Sequence, residues 1–153
     1  MTSLRCAVIA FGSDDLRKRF HNRIPLRLTG QADVIGADAT VAAWTEGQPW
    51  LDAVMDHLHK ARNSVVYVLA AEVPEIRFHA PEATYLAWLD CRELRLSAAA
   101  FQFFLSKARL GFSAGATFDP GCSQFVRLNF ATSLPILDQI LDRIIVAARQ
   151  NDR

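Results

Sequence analysis

Apolar and polar residues alternate along positions 125–131, and a two-residue period of this kind is typical of a β-strand. The alternation assigns three apolar side chains to one face of the strand: Val126, Leu128 and Phe130. The other face carries Phe125, Arg127 and Asn129. Because a guanidinium is a planar fork that matches a carboxylate through two parallel hydrogen bonds, Arg127 is a candidate for recognition of an acid group. The alternative is that Arg127 faces water beside Asn129.

Three further segments have strand-like patterns. Residues 4–11 are apolar and partly β-branched, and they predict a buried strand that ends at Gly12. Residues 76–79 predict a short strand bounded by two prolines. Residues 84–91 are apolar on both faces, which predicts a central strand covered on both sides.

Helix signals lie between these strands. Ser13 is predicted to cap a helix whose first turn holds Asp14 and Asp15. Small residues at positions 31–44 predict a closely packed helix that Gly47 ends.

The remaining helices are predicted in the same way. Pro49 is predicted to begin a helix that runs towards Ala71, and Ser133 to cap the last helix. Ser97 is the expected cap of a helix over 98–107. Its predicted buried stripe consists of Phe101, Phe104, Leu105 and Ala108.

The order of these elements predicts an α/β fold in the broad sense, with two layers of the α+β kind. Helices are expected to cover a small mixed or antiparallel sheet. The loop at 113–121 is rich in turn-forming residues but lacks the spacing of a phosphate-binding loop.

Composition narrows the class of protein. The chain has 153 residues, of which 51% are hydrophobic, so it can bury a core and also present a surface to a partner. A net charge of +1 with no basic stripe predicts no binding to nucleic acid, and no apolar run is long enough to predict a membrane helix. The three cysteines form no metal or disulfide pattern, which favours reduced thiols and a cytoplasmic location. His57 and His59 point to different sides of a helix, so no metal site is predicted.

Three segments, 81–94, 113–121 and 125–131, together resemble the C-terminal part of the cystathionine β-lyase-like family. This family contains fold-type I pyridoxal-phosphate enzymes of the class I/II aminotransferase superfamily. Residues 43–51 resemble the segment in which that family passes from its large to its small domain. The resemblance implies a large-domain remnant of one strand and one helix at 1–30, a connecting helix at 31–48 and the small domain at 49–153.

The resemblance also implies roles for particular residues. Arg127 matches the arginine that binds the α-carboxylate of the amino-acid substrate, and Arg5 matches a basic residue near the phosphate of pyridoxal 5'-phosphate. The lysine that forms the Schiff base would precede Met1, so we expect no catalytic residue and no covalently bound cofactor in this chain. The three lysines, Lys18, Lys60 and Lys107, are expected to be solvated.

Two functions remain open from the sequence. The chain could be the C-terminal portion of an aminotransferase or C–S β-lyase, inactive alone, whose full-length form transfers the amine or eliminates a β-thiol. It could instead be a truncated, non-catalytic interaction module derived from such an enzyme. In both cases the expected partner is a second copy or a separate chain that supplies the large domain.

Overall fold

The structure is a computed structural model that describes residues 6–30 and 32–151, with only the backbone at Leu26. It divides into two compact units, Met1–Ala53 and Val54–Arg153. The boundary lies inside one long helix, so each unit is described by itself.

Unit 1, Met1–Ala53, is built from helices with local capping signals. These are α1 (Asp14–Arg23), α2 (Leu26–Thr29), α3 (Val34–Glu46) and the first residues of α4 (Gln48–Glu72). The Ser13 side chain accepts a hydrogen bond from the Leu16 N–H, which confirms the predicted cap. Asp33 caps α3 in the same way, and Gly47 ends it as predicted.

The strand predicted at 4–11 is wrong for the described part of that segment, because residues 6–11 have no regular secondary structure. A β-strand needs a neighbouring strand to pair its backbone N–H and C=O groups. The strands of the described chain all lie in Val54–Arg153 and pair with one another. Leu4 and Arg5 lie outside the described residues.

Unit 2, Val54–Arg153, contains a three-stranded antiparallel sheet with the order β1-β3-β2. The strands are β1 (Leu86–Asp90), β2 (Ser113–Ala114) and β3 (Phe125–Asn129). The predicted strand at 125–131 is therefore confirmed, and the sheet is antiparallel, one of the two arrangements predicted. Residues 76–79 form only an isolated bridge, Arg77 to Asp90, and so the short strand predicted there is wrong.

The helices of unit 2 cover one face of this sheet. They are the remainder of α4, α5 (Ala100–Phe103) and α6 (Leu134–Asn151), with short 3-10 turns at Arg92–Leu94, Gly115–Thr117 and Pro120–Cys122. Buried side chains of α4, α6 and the sheet form one hydrophobic core, which includes Leu69, Leu89, Leu128, Leu137 and Ile144. None of the helices in the described ranges combines the length and the apolar character that crossing a bilayer requires.

The strand predicted to be central is in fact β1, which pairs with β3 along its length and is bridged on its other edge only between Asp90 and Arg77. Its burial alternates, with Ala87 and Leu89 buried and Trp88 37% exposed. The pattern at 84–91 was misleading because an exposed tryptophan counts as apolar in a sequence pattern. The sheet therefore has one covered face and one open face.

The structure also differs from the helix predicted at 98–107. Ala99, not Ser97, precedes α5, and the chain continues into a single π-helical turn at Phe104–Ala108. The wider π turn keeps Phe104 and Ala108 buried but turns Leu105 towards solvent at 48% exposure. Phe103 takes the buried position that the sequence pattern assigned to Leu105.

Candidate functional site

The pairing register places the candidate arginine in the middle of the open face. Trp88 of β1 and Ser113 of β2 are both direct cross-strand partners of Arg127, and Asp90 is opposite Phe125 in the neighbouring pair. Side chains of directly opposed residues share one face of an antiparallel sheet. The opposite face carries the buried side chains of Ala87, Leu89, Val126 and Leu128.

Arg127 is half-buried and is held by neutral groups. Its Nη2 donates a hydrogen bond of 3.1 Å to the Ser113 hydroxyl oxygen, and its guanidinium carbon lies 4.8 Å from the centroid of the Phe118 ring. Within residues 6–30 and 32–151, no carboxylate forms an ion pair with Arg127. A positioned guanidinium without an acidic partner can accept the carboxylate of a ligand.

Three aromatic rings, which we call the aromatic row, cover the open face next to Arg127: Phe125, Trp88 and Phe118. The Trp88 and Phe125 rings are stacked, with centroids 5.8 Å apart and planes inclined by 19°. The Phe118 ring meets Trp88 edge-on at 5.5 Å and extends the row to the Arg127 guanidinium. Such contacts are the favoured geometries for aromatic pairs and for a cation over a ring.

The other end of the aromatic row carries paired charges. Arg92 Nε and Nη2 donate to the two carboxylate oxygens of Asp90 at 2.9 and 2.7 Å, and the Arg92 guanidinium lies 5.1 Å from the Phe125 centroid. The hydrogen bond from the Arg92 side chain is the main cause that lowers the pKa of Asp90 below its usual value. Arg77 forms an ion pair of 2.7 Å with Glu93. Both arginines at this end are therefore already matched by carboxylates.

Two cavities adjoin these residues. A cleft of about 610 Å³ lies on the open face and is lined by Arg77, Phe78, His79, Trp88, Asp90 and Phe125. A smaller hollow of about 170 Å³ lies beside Arg127, between β3 and the segment that leads into β2. The larger cleft is within the size range of small-molecule sites in proteins.

His57 and the three lysines do not line the cleft of about 610 Å³. The ring of His57 lies on α4, and its Nε2 is 2.7 Å from the carbonyl oxygen of Thr132, so it has a structural partner. In the described ranges, no cluster of three or more histidine, cysteine or acidic side chains could hold a metal ion. Lys18, Lys60 and Lys107 are exposed, and none of them lines either cavity.

Sequence reasoning placed Phe125 on the face of Arg127, but it missed Trp88 and Phe118 of the aromatic row and the Asp90–Arg92 pair. The signal for Trp88 was its position between Ala87 and Leu89, because the buried residues of a half-covered strand alternate with exposed ones. No comparable signal existed for Phe118, which reaches the open face from a turn-rich loop.

Comparisons with known proteins give the class to which this fold and site correspond. A solved structure from Corynebacterium diphtheriae superposes with a TM-score of 0.84 at 28% identity, over 97% of this chain and 39% of that one. Cystalysin from Treponema denticola, whose structure contains pyridoxal 5'-phosphate, superposes with a TM-score of 0.76 at 27% identity, over 92% of this chain and 36% of that one. The fold is thus that of part of a pyridoxal-phosphate-dependent enzyme.

Sequence similarity specifies the family. The chain is 33% identical over 132 residues to cystathionine β-lyase PatB of Bacillus subtilis, covering 86% of this chain and 34% of PatB. No family model matches the sequence. This chain is a partial homologue of the cystathionine β-lyase family of pyridoxal-phosphate-dependent C–S lyases, as its motifs predicted. It spans little more than a third of the length of the relatives it matches.

The described residues fit the amino-acid substrate of such a site better than its cofactor. Arg127 and the aromatic row suit an amino acid with its carboxylate at the guanidinium. Pyridoxal phosphate requires an amine that can form a Schiff base. The three lysines are exposed and line neither cavity, so the described part of the chain does not fit the cofactor's aldehyde.

Proposed function

We propose that this chain is the C-terminal part of a pyridoxal-phosphate-dependent C–S β-lyase or aminotransferase, and that Arg127 binds the α-carboxylate of the amino-acid substrate. The observation that carries the proposal is a half-buried guanidinium, fixed by Ser113 and Phe118, with no acidic partner in the described chain. The proposed reaction class, pyridoxal-phosphate-dependent cleavage of a C–S bond or transfer of an amine, is supported by two relatives. PatB is named as a cystathionine β-lyase, and the cystalysin structure contains pyridoxal 5'-phosphate.

The proposed role of Arg127 is positioning. A guanidinium on the central strand of a sheet is held at its base by backbone pairing on both sides, since β3 pairs with β1 and with β2. The bond to Ser113 fixes its end. A carboxylate held by two parallel hydrogen bonds would keep the substrate's Cα in a defined orientation.

The proposal includes the domain assignment. Residues 1–30 would correspond to a remnant of the large domain, 31–48 to a connecting helix and 49–153 to the small domain. The remainder of the active site, with the cofactor and its lysine, would then belong to the large domain of a partner or of a longer chain. Arg5 remains proposed as a contact to the cofactor phosphate and lies outside the described residues.

The test is a titration of the full 153-residue chain with L-alanine, followed by ¹H–¹⁵N NMR. We expect chemical shift changes at Arg127, Ser113 and Phe118, and no such changes with L-alanine methyl ester, which lacks the carboxylate. The Arg127→Met variant should bind L-alanine at least about tenfold more weakly, because a charge-assisted hydrogen bond contributes about 1.5–3 kcal/mol.

Arg143→Met is the matched control, since Arg143 is an exposed arginine on α6, and it should leave binding unchanged. Arg127→Lys keeps the charge but removes the fork, so it should bind with intermediate affinity. Equal binding of L-alanine by the parent chain and by Arg127→Met would refute the proposal.

A second candidate function, a non-catalytic interaction module, is favoured by the apolar surface of unit 1. Six large apolar side chains of this unit are more than 60% exposed: Leu28, Val34, Ile35, Val41, Trp44 and Trp50. Exposed apolar side chains in this number are a feature of surfaces that contact another protein. Sedimentation velocity of the chain would test this candidate, and a monomer at all accessible concentrations would argue against self-association.

A further inference from the structure

The aromatic row begins at the group proposed to hold the substrate's carboxylate. Trp88 is the direct cross-strand partner of Arg127, so their Cβ atoms are separated by about 5 Å. The Phe118 ring contacts both of them, lying edge-on to Trp88 and under the Arg127 guanidinium. A ligand whose carboxylate binds Arg127 therefore meets an aromatic surface within the length of one side chain.

This surface is open to a ligand. Trp88 is 37% exposed and Phe118 is 55% exposed, although both are large apolar side chains next to a well-packed core. The cleft of about 610 Å³ continues from Trp88 along Phe125 to His79 and Asp90. Clefts of this size with apolar walls and a few polar groups are typical of small-molecule sites.

The charges of the cleft select against an acidic side chain. Arg92 is bound by Asp90 and Arg77 by Glu93, so the described residues at this end offer no unpaired cation. A second carboxylate of a ligand would therefore lose hydration at this end without gaining an ion pair. His79 forms no hydrogen bond or ion pair with other described residues, and its ring nitrogens can meet a neutral polar atom of a ligand.

We infer that the amino acid bound at Arg127 carries a planar aromatic or heteroaromatic side chain, which packs against Trp88 in the wall of the cleft and against the neighbouring Phe118 ring. The inference rests on the proposed function of Arg127 and adds the class of side chain. The Trp88 and Phe118 rings are nearly perpendicular to each other. A third ring, from the ligand, can stack on one of them or meet it edge-on, and both are geometries that aromatic pairs favour.

The experiment compares three ligands on the full chain by the same NMR titration: L-phenylalanine, L-alanine and L-glutamate. We expect L-phenylalanine to bind up to about tenfold more tightly than L-alanine, since an aromatic contact contributes up to about 1.5 kcal/mol beyond its buried area. L-Glutamate should bind more weakly than L-alanine. The signals of Trp88 and Phe118 should shift with L-phenylalanine and much less with L-alanine.

Substitutions separate this inference from the proposed role of Arg127. Phe118→Leu should reduce the preference for L-phenylalanine over L-alanine to about one. Because Phe118 also contacts the Arg127 guanidinium, the ratio of the two affinities, and not either affinity alone, is the measured quantity. Trp88→Phe should retain most of the preference, whereas Trp88→Leu should lose it. Tyr67→Leu is the control, because Tyr67 is an exposed aromatic residue on α4 that does not line the cleft.

Each outcome has one meaning. Equal affinities for L-phenylalanine and L-alanine, both dependent on Arg127, would overturn the inference and leave the carboxylate role in place. An L-phenylalanine preference that survives in both Phe118→Leu and Trp88→Leu would also overturn it. Binding that does not depend on Arg127, or no binding of any of the three ligands, would overturn both.

Discussion

The two units of the chain bury their side chains to very different extents. In unit 1, with Leu26 left aside, Gly36 is the only described residue that is buried. In unit 2, helices and sheet share a continuous core in which Leu69, Leu89, Leu137 and Ile144 have no measurable exposure. Yet both units contain well-formed helices, and α3 of unit 1 has 13 residues.

The difference shows which interactions form each unit. In unit 1 the helices are defined by local signals, such as the Ser13 and Asp33 caps and the Gly47 stop. In unit 2 the strands are defined by pairing between segments far apart in the chain, as between β1 and β3. Helical hydrogen bonds are made within a segment, whereas a strand depends on a neighbour. We therefore expect the core of unit 2 to supply most of the stability of the chain.

The largest predicted difference concerns the thiols of the two units. Cys91 of unit 2 is fully buried, and burial raises the pKa of its thiol to about 12, whereas Cys6 of unit 1 is half-buried. At pH 8 a thiol with that pKa is thiolate to only about one part in 10⁴, so iodoacetamide should modify Cys91 at least about a hundredfold more slowly than Cys6. Mass spectrometry of the modified peptides measures both rates. Comparable rates would contradict the burial difference.

The same pKa shift predicts a pH dependence. A thiol whose pKa is higher in the folded than in the unfolded state adds stability below pH 9.0, and this contribution is lost as the pH rises towards about 12. Urea unfolding measured at several pH values gives the free energy of unfolding as a function of pH. Between pH 9.0 and about 12 this free energy should fall more steeply for the parent chain than for Cys91→Ala. In Cys91→Ala, the loss of stability that comes from the Cys91 thiol at alkaline pH should be absent.

The second prediction compares large-to-small substitutions in the two units. Leu137→Ala removes a fully buried side chain of α6 and should lower the free energy of unfolding by about 2–5 kcal/mol. Trp44→Ala removes a side chain of α3 that is 72% exposed and should change it by less than about 0.5 kcal/mol. Urea unfolding monitored by circular dichroism measures both values.

Ile136→Ala is the control on α6, because Ile136 neighbours Leu137 but is 51% exposed. Ile136→Ala should lower the free energy of unfolding by clearly less than Leu137→Ala does. A loss for Trp44→Ala as large as that for Leu137→Ala would show that the apolar side chains of unit 1 are stabilised by a contact in solution.

These contrasts also explain how far the sequence could predict the structure. The Ser13 cap, the strand around Arg127 and the buried face of α6 were predictable because each depends on residues close in sequence. The position of β1 in the sheet was not, because it depends on which strands pair. The contact between Trp88 and Phe118 was missed because the two residues are 30 positions apart and meet only through the fold.

The candidate site was predictable in one respect. The strand period placed Arg127 on the face opposite the core, and the structure agrees. Its neutral partners could not be predicted, because Ser113 lies in a strand of only two residues and Phe118 in the turns that follow it. Whether Arg127 binds a carboxylate is the question that the titrations above address.

The smallest predicted effect tests whether α3 depends on its own cap. The Asp33 carboxylate accepts a hydrogen bond of 2.6 Å from the Gly36 N–H, and Asp33→Ala should cost this helix about 1 kcal/mol. Because Gly36 is the only buried residue of α3, little tertiary packing can offset that loss, and the first turn of α3 should lose helicity. NMR secondary chemical shifts of residues 34–38 measure this loss directly.

Two further variants serve as controls. Asp33→Ser should retain the helix, and so should Asp38→Ala, because Asp38 is an exposed residue inside α3. If the urea midpoint of the unit 2 core fell with the α3 signals in Asp33→Ala, the two units would not be stabilised separately, and the comparison would fail.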